Sequence, residues 1–209
     1  MSAHKIIGIG FHKTGTTTLG SCMRMLGYNH ISCNREAFLL YKESEISALI
    51  KLMKYFDSFD DWPWALIYRE AYKAFPDSKF ILTTRIDEEK WFESLSKHVE
   101  RGAGERFPYR KYIYGYEKPN ENKPFHIKKY QEHNSNVRDF FKDKPESFLE
   151  VCWEKGDGWK EIGNFLGIDT TGLSLPHSNK ADAKASKVEK LSNRIINVAR
   201  TISREKSKS

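Results

Sequence analysis

Residues 8–20, GIGFHKTGTTTLG, decide how this chain is read. Gly10 and Gly15 stand at the spacing of a nucleoside-triphosphate loop, GxxxxGK[ST], in which the lysine follows the second glycine directly. That place is held by Thr16, and the loop's lysine is Lys13, two residues before the glycine. Upstream, KIIGIG is a short apolar run that reads as a buried strand. Downstream, residues 16–26 carry helical spacing and stop at Gly27, where a left-handed cap is expected. Strand, glycine loop and helix in that order place the loop's N–H groups at a helix N-terminus, where they favour an anion.

Working outward, residues 35–55 and 64–75 read as helices, separated by DSFDDWP, a strand end or turn broken by Pro63. KFILTTR is a continuous apolar run ending in a charge, as expected of an inner parallel strand, and residues 87–100 return from it as a helix. Residues 101–125 break the pattern with glycine, proline, six aromatics and a net charge of +3, which suits a lid or an acceptor loop. Helical spacing resumes over 126–142, SFLEVCW reads as another strand, and 158–166 as a short helix ended by Gly167. Strands alternating with helices imply a parallel sheet covered on both faces.

The chain has 209 residues, enough for one domain with a core of its own. Three cysteines, Cys22, Cys33 and Cys152, form no CxxC pair and read as reduced thiols. No leader pattern and no apolar run long enough for a membrane span is present, so a cytoplasmic place is expected. Of the net charge of +7, residues 180–209 carry +6, leaving a nearly neutral body. Nucleic acid is therefore not the expected partner of the body. In the tail, Val188, Leu191, Ile195, Val198 and Ile202 form one apolar stripe on a basic helix. Docking on the domain is the simplest reading of the stripe, and a homodimer seam is an alternative. The expected division is a domain over 1–180 and a basic amphipathic C-terminal helix and tail over 181–209.

A triphosphate site also needs an acid at a second strand end to hold Mg²⁺. Here that strand ends in Arg85, which suits a phosphate better than a metal. At this point the resemblance becomes specific. FHKTGTTTL is similar to the 5′-phosphosulfate loop, PKSGTTW type, of the sulfotransferases that use 3′-phosphoadenosine 5′-phosphosulfate (PAPS). KFILTTRIDEEKWFES resembles the strand, loop and helix with which that family holds the 3′-phosphate. The segments DWPWALIYREAYKAFPDSKFILTTR, HNSNVRDFF, FLEVCWEKGDGWKEIGNFLGI and LPHSN follow in the order of a bacterial-type branch, so that the likeness covers residues 5–180.

The resemblance implies a three-layer α/β fold with a central parallel sheet, P-loop nucleoside-triphosphate-hydrolase-like and of the sulfotransferase type. It implies PAPS as co-substrate, adenosine 3′,5′-bisphosphate as product and no metal. Lys13 would stabilise the leaving group, and His12, Lys13, Thr14, Gly15, Thr16, Thr17 and Thr18 would form the phosphate loop. Arg85 and Ser94 would take the 3′-phosphate. The serine lies nine residues after the arginine, against eight in many members, which leaves Ser96 as the fallback. Trp153 occupies the place of an adenine-stacking Tyr, though a core tryptophan at a strand end is an equal reading. The family's base position falls on Asp61, with Asp60 adjacent. Successive strand residues face opposite sides, so one of the two points into the site. An N-cap for the following helix is the structural alternative for Asp61. His12, His126, His133 and His177, taken one by one, suit surface or hydrogen-bonded places, and His177 with Asn179 would border the 3′-phosphate.

The expected acceptor is a small molecule or carbohydrate hydroxyl, in a pocket drawn from Trp62, Trp64, Tyr68 and residues 101–125. Two other readings are a small nucleotide kinase with a degenerate loop and a non-catalytic binder of adenosine 3′,5′-bisphosphate.

Overall fold

The computed structural model describes residues 4–100 and 109–176. Residues 177–209, with His177, Asn179 and the tail stripe, and the segment 101–108 of the expected lid lie outside the described residues.

Five parallel strands form the centre: β1 (Ile6–Gly8), β2 (His30–Ile31), β3 (Ser58–Phe59), β4 (Lys79–Thr83) and β5 (Phe148–Val151), in the order β2-β3-β1-β4-β5. Ile6, Ile7 and Gly8 lie beside Lys79, Phe80 and Ile81, and Ile6 and Ile7 beside Ser58 and Phe59. Alternation along these strands fills two apolar layers. Ile7, Phe59, Phe80 and Leu82 pack under α2 (Arg35–Lys42), α3 (Ile46–Met53), α4 (Tyr68–Ala74) and α7 (Lys123–Phe141). Ile6, Ile81 and Val151 pack on Leu19, Cys22 and Met23 of α1 (Thr16–Met25) and on Trp159 and Ile162 of α8 (Trp159–Leu166). An aromatic cluster of Phe11, Phe38, Trp62, Trp91, Tyr114 and Tyr130 joins the β1 loop to α5 (Glu88–Glu100), α6 (Tyr109–Tyr114) and α7. The three-layer α/β architecture expected from the sequence is thus present.

Two expected helices are each broken. Residues 35–55 split at Ser44, whose left-handed backbone (φ 62°) lets its N–H reach Tyr41 and lets Glu45 N–H reach Leu40. These paired bonds close α2 as a C-terminal cap motif does. Residues 64–75 divide at Ile67 into a single 3₁₀ turn, Trp64–Leu66, and α4. β2, with only two residues, carries no periodicity to read. Among the described residues no helix is long and apolar enough to cross a membrane.

The strand order fixes where a site can form. The chain leaves β1 toward β2 and β3, then crosses to β4 on the other side of β1 and continues to β5. The connections from β1 and β4 therefore diverge, and a crevice opens between their C-terminal ends, where open α/β sheets bind ligands.

Candidate active site

The loop after β1 is held from beneath. Thr14 hydroxyl donates to the Phe11 carbonyl at 2.5 Å and lies 2.6 Å from the Thr83 hydroxyl at the end of β4. A side chain at Gly10 would collide with Thr83, so only glycine lets the loop lie against β4. Thr14 therefore braces the loop, its hydroxyl engaged by Phe11 and Thr83. Lys13 (φ 70°) and Gly15 (φ 91°) both adopt left-handed backbone, and Gly15 caps the N-terminus of α1. Thr18 and Leu19 N–H groups return to the Gly15 carbonyl. The leading amides of a helix have no intrahelical acceptor, and at α1 these belong to Thr16 and Thr17.

Lys13, Arg85 and Ser94, from three separate segments, line one groove of about 170 Å³. Lys90, Lys97 and His98 share its wall, with Glu93 as its acid. On α5, residues 90, 94, 97 and 98 fall on one helical face, a spacing legible in the sequence once Ser94 is singled out. Ser96 faces elsewhere, its hydroxyl donating to Asn120 at 3.3 Å. Arg85 is fixed at both ends: its N–H donates to the Tyr130 hydroxyl at 3.0 Å, and its guanidinium meets Glu154 at 2.8 Å. Glu154 and the groove-lining Lys90, Lys97 and His98 are functional-site neighbours that the sequence reading did not name.

On the other side of the loop the two aspartates part. β3 ends at Phe59, and Asp60 is fully buried, its Oδ2 3.4 Å from Nε2 of His30, whose Nδ1 lies 2.8 Å from the Ser58 hydroxyl. Asp61 turns out through left-handed backbone (φ 63°) and meets α1, where Thr16 hydroxyl donates to its Oδ2 at 3.4 Å. Its Oδ1 accepts from Trp62 N–H at 2.7 Å, and no side chain caps the Trp64 turn, so the N-cap alternative is not what the carboxyl does. Burial, and then the neighbouring Asp60 charge, push the Asp61 carboxyl up to about 7. The Trp62 N–H, the Thr16 hydroxyl and Lys13 pull the other way. A carboxyl that titrates there suits proton transfer near neutral pH.

The remaining expected residues have structural surroundings. His12 turns from the groove into the aromatic cluster, 4.2 Å from the Trp62 ring, and its carbonyl accepts from Trp91 Nε1 at 3.0 Å. Burial and the nearby cations hold its imidazole well below the usual range, so it is neutral near pH 7. Trp153 lies directly on Gly15, where any side chain would strike the indole, and its other neighbours are the apolar residues around Trp159. His133 stacks on Phe11 at 4.1 Å and bonds to the Ile9 carbonyl, burial pushing it down to about 4. His126 Nδ1 donates to the Asn122 carbonyl at 2.8 Å. Trp64, expected in the acceptor pocket, is fully buried against Phe59 and donates to the Ser32 carbonyl, so it belongs to the core. Among the described residues no three His, Cys, Asp or Glu side chains are placed together as a metal cage.

No curated protein matches the sequence. The fold is similar to that of a sulfotransferase from Alicyclobacillus acidocaldarius known from its crystal structure, with 15% identity over 95% of this chain and 96% of the other and a TM-score of 0.53. The model of the sulfotransferase domain matches residues 5–184, spanning β1, the Lys13 loop, the groove and both aspartates, and the chain belongs to that family.

Proposed function

We propose that the protein moves a sulfuryl group from PAPS to an acceptor hydroxyl by in-line, metal-independent displacement. The observation that carries the reading is that Lys13, Arg85 and Ser94, drawn from three segments, line one cationic groove at the crevice between β1 and β4. The residues fit the donor on two further counts. A helix N-terminus faces the loop, and the second strand end offers a guanidinium where a metal-dependent triphosphatase needs an acid.

The donor supplies a sulfuryl group activated by its anhydride to a 5′-phosphate. Asp61 takes the proton from the acceptor hydroxyl as its oxygen bonds to sulfur. Lys13 and the Thr16 and Thr17 amides at the start of α1 meet the charge left on the departing bridging oxygen and the 5′-phosphate. Arg85 and Ser94 hold the 3′-phosphate and so distinguish this donor from ordinary adenine nucleotides. The acceptor is a sugar, phenol or other small hydroxyl compound, and the product nucleotide is adenosine 3′,5′-bisphosphate.

The test is radiolabelled transfer from PAPS to a panel of sugars and phenols in the presence of a chelator. Labelled product that depends on Lys13 and Asp61 is expected. Product that forms only with magnesium and a nucleoside triphosphate would instead assign the loop to a kinase.

A further inference from the structure

Glu154 follows Trp153 in the turn after β5, and its two oxygens are both used. One lies 2.8 Å from a terminal nitrogen of Arg85, and the other accepts from the Ile86 N–H at 2.9 Å. The backbone bond matters, because a carboxylate tied to a main-chain amide cannot follow a swinging side chain. Glu154 is not part of the groove wall, whereas Arg85 is. The carboxylate therefore stands behind the guanidinium and does not occupy the ligand's place in front of it. Glu154 takes one terminal nitrogen of Arg85, and the other forms no hydrogen bond among the described residues, so donor capacity remains after Glu154 is served.

We propose that Glu154 is the positioning residue of the 3′-phosphate site. It clamps one edge of the Arg85 guanidinium and, through Ile86, the turn from β4 into α5, leaving the rest of the fork directed at the groove. A free arginine side chain samples many rotamers and loses that freedom when it is pinned. Held by Glu154 at its tip and by Tyr130 at its backbone, Arg85 surrenders that freedom during folding, before any ligand arrives. The same bonds link the turn carrying Trp153, which lies on Gly15, to the turn carrying Arg85.

The inference rests on the PAPS reading, and its test separates the two. The affinities of the full chain for adenosine 3′,5′-bisphosphate and 5′-AMP are measured, and their ratio gives the contribution of the 3′-phosphate. Glu154→Ala is expected to lower the ratio about tenfold while leaving 5′-AMP binding unchanged. Glu154→Gln retains an acceptor oxygen and is expected to lower it about threefold. In an Arg85→Ala background neither change moves the ratio, because Glu154 acts through Arg85. An unchanged ratio in Glu154→Ala, an increased one, or the same fall without Arg85 overturns the proposal. A wild-type protein that does not distinguish the two nucleotides would instead remove the PAPS reading itself, and this inference with it.

Discussion

Lys13 is shared by two regions of opposite character. In the groove, Arg85, Lys90 and Lys97 are partly or largely exposed, and their charges are balanced by Glu93 and Glu154 at the surface. Across the loop, Asp60 is buried beside His30, Asp61 presses on Thr16, and aromatic rings surround His12. Water screens the charges of the first region. In the second, burial and the Asp60 charge push the Asp61 carboxyl up from 3.8 to about 7. Exposed, paired cations thus stand on one side of the loop and the more enclosed carboxyls on the other.

The strongest break in that comparison falls on Lys13 itself. Lys13→Ala is expected to lower the transfer rate by roughly 10²–10³-fold, as loss of one stabilising donor does elsewhere, in single-turnover assays at saturating PAPS. Asp61→Asn follows, with a loss of roughly 10²-fold in kcat. The wild-type rate should fall as pH drops below about 7, the range in which Asp61 takes up its proton. Asp60→Asn removes a charge that raises the Asp61 carboxyl, so the acid limb should move to lower pH. A limb that stays in place would separate the two aspartates.

Binding changes in the groove should be smaller. Ser94→Ala is expected to weaken adenosine 3′,5′-bisphosphate binding by about tenfold, and Ser96→Ala to leave it within about a factor of two, by calorimetry. The smallest effect concerns stability. A carboxyl raised on folding binds its proton more tightly in the native state, so its contribution declines as pH rises from the unfolded value of 3.8 through about 7. Asp61→Asn should therefore raise Tm at pH 8 by roughly 2–4 °C and leave little difference at pH 4.

The legibility of these regions in the sequence follows from how each is built. The loop, β4 and the helix after it were readable because each is local: glycine spacing, a continuous apolar run, and one helical face. The break at Ser44 was hidden, since nothing in KESE separates a helix from a cap until the left-handed residue is seen. Alternation framed the choice between Asp60 and Asp61, yet the strand ends at Phe59 and their divergence comes from the Asp61 backbone. Glu154 was invisible because its partner lies 69 positions away and only parallel pairing of β4 with β5 brings the two turns together. Trp62 and Trp64 have the same sequence signature, and tertiary packing alone sends Trp64 under the helices of one sheet face and Trp62 into the aromatic cluster.

The most direct test of the central claim is calorimetric titration of the full chain, without magnesium, by adenosine 3′,5′-bisphosphate and by 5′-AMP, repeated on Arg85→Ala. Strong preference for the bisphosphate, lost with Arg85, is the predicted result. Equal and weak binding of both, with tight binding of ATP and magnesium, would contradict it and return Lys13 to an unusual triphosphate loop.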